Sequence, residues 1–198
     1  MARRVFFSFH HKRDSWRIGQ VRNCGLGRDR EAVGFWDAAE WEKLKLQGET
    51  RVRNWIDDNL TNTSVTAVLT GYETWQRPWV RYEIIKSFEK GNGLVGIDIH
   101  NIKTQYLETD PRGANPFEYV RFKLNATRTY FDIFEWTGSQ WKSYSRIPRI
   151  AVGVASRLVG NTIDGQLSQF VQRHDWQGQD GRNQIGVWVE QAAARVGR

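Results

Sequence analysis

Three short apolar runs, at 5–9, 65–69 and 94–99, are separated by segments with helical periodicity. Each run has the length and composition of a buried strand. Between them, residues 50–60 place Val52, Trp55, Ile56 and Leu60 on one helical face. Residues 78–90 do the same with Val80, Ile84, Ile85 and Phe88, the spacing of an amphipathic helix. Pro78 suits the first helical position, where its missing N–H costs nothing. This strand–helix alternation predicts an α/β domain with a central parallel sheet flanked by helices. Sites in such sheets gather beyond the carboxyl ends of the strands. Ser8–His10, Asp37 and the 71–78 loop fall there.

The remaining segments are less regular. Asp14 is placed to cap a helix over 15–22. Residues 23–33 hold Gly25, Gly27 and several charges and read as an exposed loop, followed by a short strand over 33–36. After residue 100 the alternation stops. Residues 130–136 and 140–144 read as a hairpin turning at Gly138-Ser139, and 148–179 match no element pattern. Residues 183–195 read as a helix with Ile185, Val189, Ala192 and Ala193 inward. The chain is therefore expected to form one domain, 1–198, with an α/β core over about 3–125 and a C-terminal hairpin and helix embellishment over about 126–198.

Composition excludes several classes. The 198 residues include ten Trp and ten Phe, enough apolar bulk for a core and too much for a disordered chain. The single cysteine, Cys24, allows no internal disulfide and fits a reducing, cytoplasmic setting. No run approaches the ~20 apolar residues of a membrane span, and the first apolar run is too short for a signal-peptide core. The net charge is +7, but the basic residues are dispersed. That argues against nucleic acid and for simple solubility or attraction of a phosphate-bearing small molecule. Cys24-Gly25-Leu26-Gly27 lacks the third glycine and the strand-then-helix context of a dinucleotide fingerprint. The histidines, His10, His11, His100 and His174, have no zinc-ligand spacing. No bound metal or cofactor is expected. His10 and His11, as neighbours at a strand end, should point to opposite faces.

Residues 79–83, Trp-Val-Arg-Tyr-Glu, carry the chemistry. Trp79 and Glu83 are four apart and share one side of the predicted helix. An indole beside a carboxylate desolvates it, which suits a catalytic acid. A carboxylate in the first turns of a helix is equally explained by the macrodipole, worth ~0.3–1 kcal/mol on a surface.

The pentapeptide resembles the WxxxE motif of TIR domains, whose Glu is the catalytic residue of NAD⁺ cleavage. Residues 4–10, 62–69, 79–84 and 89–92, with Asn115-Pro116-Phe117 and Asp175-Trp176, are similar in order to the TIR-domain component of the Thoeris antiphage system. The resemblance implies a flavodoxin-like TIR fold and an NAD⁺ glycohydrolase or ADP-ribosyl cyclase. Such an enzyme would release nicotinamide and make a cyclic ADP-ribose-type signal for a separate effector. It further implies a phage-derived trigger and self-association through the loop 23–35. Glu83 is then the catalytic residue, with NAD⁺ as substrate rather than cofactor. Phe6, Phe9 and Trp79 are candidates to stack on a substrate ring. Ser8, Asp37 and Asn115 are candidates for polar substrate contacts, and the aromatic segment 130–141 for a wall of a dry pocket. The alternative is a non-enzymatic TIR-like scaffold or nucleotide-binding signalling module. A nucleic-acid-processing domain would need clustered Asp and Glu metal ligands, which the pattern lacks.

Overall fold

A computed structural model describes residues 3–24, 30–33 and 38–198. In chain order the first half runs β1 (Arg3–Ser8), α1 (His11–Arg22), β2 (Arg30–Val33), α2 (Ala38–Leu46), α3 (Glu49–Asn59), β3 (Val65–Thr70), α4 (Pro78–Glu89) and β4 (Gly93–Asp98). The second half runs β5 (Val120–Leu124), β6 (Tyr130–Trp136), β7 (Trp141–Ser143), β8 (Arg149–Ala151), α5 (Val152–Val159), β9 (Asp164–Gln166), β10 (Gln172–Asp175) and α6 (Gly181–Arg195).

The central sheet has the order β10-β4-β3-β1-β2, and every pairing in it is parallel. Strand order reverses between β1 and β3, the switch point of a flavodoxin-like sheet. β3 and β4 are buried at every position, as expected of parallel strands covered on both faces. Alternate residues serve different cores. Phe6, Val68 and Leu94 join Val52, Ile56, Ile84 and Phe88 on one face. Val5, Phe7, Val65, Ala67, Val95 and Ile97 join Ile18, Val21, Ile185 and Val189 on the other.

A second sheet, antiparallel in the order β7-β6-β5-β9 with β8 also on β6, covers the outer side of α4. Phe88 lies 5.8 Å from Phe122 and 5.9 Å from Phe131, ring centre to ring centre. The hairpin expected over 130–144 forms as β6 and β7, with β7 at the edge of this sheet. Helix α4 is thus held between two sheets. This is why Tyr82, Glu83 and Ser87 are buried along with the apolar stripe. Its end is a Schellman turn. Gly91, at φ +66°, donates to the Phe88 carbonyl, and Asn92 donates to that of Ser87.

Four details differ from the sequence reading. Helix α1 starts at His11, so Asp14 is an interior, fully buried residue and not a cap. Residues 30–33, read as loop, are an edge strand, because parallel pairing to β1 supplies the hydrogen bonds that a charged segment does not advertise. Helix α2 was not foreseen. Finally, β10 and α6 lie beyond the expected core limit of about residue 125, yet they belong to the first sheet and its packing. Asp37 and most of loop 23–35 lie outside the described residues. No helix among the described residues is long and apolar enough to cross a membrane.

Candidate active site

A cavity of about 750 Å³ opens where β1 gives way to α1, beside α2 and the start of α4. Its wall includes Phe9, His11, Trp41 and Trp79, with Lys12, Lys45 and Arg77 as cations and Glu83 as a buried acid. The placement follows from the sheet. Beyond the β1 end, the chain turns away into α1 while α4 arrives from β3, and the gap between them is the switch-point crevice.

Glu83 is 3% exposed. Its Oε2 accepts a hydrogen bond of 2.5 Å from the Ser8 hydroxyl. Among the described residues no cation pairs with it. Burial pushes its carboxyl up from the ordinary 4.5 to about 8, with the Ser8 hydrogen bond pulling the other way. Burial therefore wins. Trp79, one turn earlier, lies under the Arg146 guanidinium, 4.8 Å from its ring centre, and meets Tyr82 edge-on. Arg146 also pairs with Glu49 at 2.9 Å. Arg81 pairs with Glu135 of β6. The second sheet and the loop after its hairpin thereby hold the first turn of α4.

His11 stacks on Trp41, with ring centres 4.5 Å apart and planes 9° from parallel, and also touches Phe9 at 4.3 Å. His10 Nδ1 is 3.9 Å from Glu73. Burial, reinforced by Arg77, pushes His10 down to about 4, so it is uncharged at neutral pH. The two histidines, expected on opposite faces of a strand end, both line the cavity. The reason is that the strand stops at Ser8 and His11 already belongs to a helix.

The other expected site residues divide. Phe9, Trp79 and Glu83 line the cavity, and Ser8 reaches it through Glu83. Phe6 is fully buried in the core beneath and is not part of the wall. Asn115 caps the short helical turn Pro116–Tyr119, accepting from the Phe117 amide, and lies off the cavity. The 130–141 aromatics do not line it either. Phe131 is core, and Trp136 and Trp141 contact each other. Trp41, Glu42 and Lys45 were missed because α2 was missed. The signal was present in Ala-Ala-Glu-Trp-Glu-Lys-Leu-Lys-Leu, a run of strong helix formers. Away from the cavity, ligand atoms of Asp98, His100 and Asp175 lie within 4.8 Å of one another. There, Arg112 and Arg173 already occupy both oxygens of Asp98.

The parallel sheet, its order and a buried carboxylate at the switch point define a flavodoxin-like α/β domain with an acid-bearing cleft. Comparison with known proteins narrows the class. Residues 6–104 match the family model described as Thoeris protein ThsB, TIR-like domain. A Bacillus cereus (strain MSX-D12) protein named "Putative cyclic ADP-D-ribose synthase ThsB1" is 37% identical over 194 residues, covering 96% of this chain and 100% of that protein. The chain belongs to the ThsB family of TIR-like proteins.

Proposed function

We propose that this protein cleaves NAD⁺ between ribose and nicotinamide and closes the remaining ADP-ribose on itself, making a cyclic signal for antiphage defence. One observation carries the reading: Glu83 of the Trp79–Glu83 motif is buried at the wall of an aromatic, cation-bearing cleft. The name of the similar Bacillus cereus protein supports the same product class.

The chemistry suits the residues. When the bond breaks, its electron pair stays on the ring nitrogen and nicotinamide leaves neutral. Positive charge moves to the ribose, as in glycoside hydrolysis. A carboxylate held beside that ribose stabilises the cation. The rings of Phe9, His11, Trp41 and Trp79 give flat surfaces for nicotinamide or adenine. Lys12, Lys45 and Arg77 give positive charge for the diphosphate. A hydroxyl or adenine nitrogen of the same molecule then captures the cation and loses a proton. Excluding water favours this ring closure over hydrolysis. The reaction calls for no bound metal or cofactor. In this reading the enzyme works in the cytoplasm and self-associates when active. It responds to a phage-derived trigger and acts through a separate effector.

The test is Glu83→Gln, with nicotinamide and cyclic product measured by mass analysis in phage-infected cells expressing each variant. Product should fall ~10²–10³-fold, the scale of losing one electrostatic stabiliser. Glu89→Gln, on the same helix but paired with Lys86, should stay near wild type. A Glu83→Gln variant that makes product at the wild-type rate refutes the assignment, and a joint loss of activity and folding in both variants makes Glu83 structural.

A further inference from the structure

The Ser8–Glu83 pair has a property that cleavage alone does not require. A carboxylate meant to stabilise a cation is ordinarily kept charged by a nearby Lys or Arg. Here the acid is almost wholly buried at the cleft wall, and among the described residues it has one hydroxyl partner and no ion-pair partner. The cations of the cleft are engaged or sit elsewhere on its wall: Lys45 pairs with Glu42 at 2.7 Å, and Arg77 pairs with Glu73. The serine comes from the last residue of β1 and the acid from the second turn of α4, so the pair bridges the two walls of the cleft.

We propose that Ser8 and Glu83 form a cation-gated carboxyl, which near neutral pH rests uncharged and gives up its proton when the pyridinium ring of an oxidised nicotinamide dinucleotide enters the cleft. This rests on the NAD⁺-cleaving reading and adds a basis for substrate choice. NADH presents a neutral dihydropyridine and cannot draw out the proton, so the site selects NAD⁺. Ser8 is a positioning residue: its hydroxyl holds Oε2 in place and favours the charged form. A cation about 4 Å from the carboxyl, at an effective dielectric near 20, lowers its titration by roughly 2–3 pH units. That is enough to carry a group resting at about 8 through neutrality. The protons balance. One leaves to solvent as the ring docks. After nicotinamide departs neutral, the carboxylate faces the ribosyl cation. The proton shed by the capturing nucleophile returns to Glu83, which resets the site.

Among the described residues, the titratable and charged groups that line the cleft with Glu83 are His10, His11 and Lys12 after β1, Glu42 and Lys45 on α2, and Arg77 before α4. His10 stays uncharged near neutrality. The rest are controlled by subtracting Glu83→Gln.

The test uses carba-NAD⁺, which keeps the pyridinium but has methylene for the ribose ring oxygen and resists cleavage. Titration calorimetry at pH 7, in two buffers of different ionisation heat, counts the protons released on binding. Wild type should release roughly 0.8 proton per site, Glu83→Gln close to none, and NADH close to none while binding at least ~10-fold more weakly. In Ser8→Ala the pH at which carba-NAD⁺ affinity rises should move upward by about one unit. Ser8→Thr should restore it. A purely structural serine leaves that pH dependence in place, and such a result removes Ser8 from the device. Equal proton release by wild type and Glu83→Gln overturns the proposal, as does carba-NAD⁺ that fails to bind. Nicotinamide release in infected cells decides the catalytic reading separately.

Discussion

Replacing Glu83 by Gln should make the protein more stable, and only at higher pH. The folded carboxyl titrates at about 8 against an ordinary 4.5, because burial disfavours its charged form. A group whose folded pKa is raised favours folding fully below its unfolded pKa. That contribution is lost as pH rises through the window between the two values, and the loss is complete above the folded one. The window here runs from 4.5 to about 8. At ~1.4 kcal/mol per pH unit, wild type should lose on the order of 4 kcal/mol between pH 5 and pH 9 from this residue alone. Glutamine keeps the size and a partner for Ser8 but cannot ionise. Other shifted groups, such as Asp14, which burial raises to about 6, are common to both proteins and cancel in the comparison. Urea unfolding of both proteins at pH 5 and pH 9 measures the effect. The two should agree within ~1 kcal/mol at pH 5, and Glu83→Gln should be ~4 kcal/mol more stable at pH 9. A difference that stays constant across pH within ~1 kcal/mol would refute the argument that burial holds this acid neutral.

Two further tests address the frame around the site. Phe88 is fully buried and joins α4 to the second sheet through Phe122 and Phe131; Phe88→Ala should cost ~3–5 kcal/mol in urea unfolding, whereas a loss under ~1 kcal/mol would mean the two sheets do not share a core. A Cβ on Gly93 would collide with the Ala192 carbonyl oxygen, a backbone atom of α6; Gly93→Ala should therefore cost ~1–3 kcal/mol, and a thermal midpoint equal to wild type would place α6 off the sheet.

Local patterning was enough to write down most of the parallel core. The runs at 65–69 and 94–99 became strands β3 and β4, and the 78–90 periodicity became α4, because apolar spacing and Pro78 act within a few residues of themselves. The same logic placed Trp79 and Glu83 on one side of a helix and drew attention to that side. It failed where stability comes from distant partners. β2 is a charged tetrapeptide made a strand by pairing to β1. β10 has no apolar run and is defined by its register with β4, whose partners lie 77 residues away in the chain.

The site divides along the same line. The identity of the acid and the aromatic beside it belong to the sequence, since i to i+4 spacing is a property of any helix. The burial that keeps the acid uncharged belongs to the tertiary structure. It needs β1 to bring Ser8 against Glu83, α2 to roof the cleft with Trp41, and a second sheet to close the far side of α4. A carboxylate at the start of an isolated helix is solvated and ionised. Enclosed between two sheets, the same residue loses the water that would keep it charged.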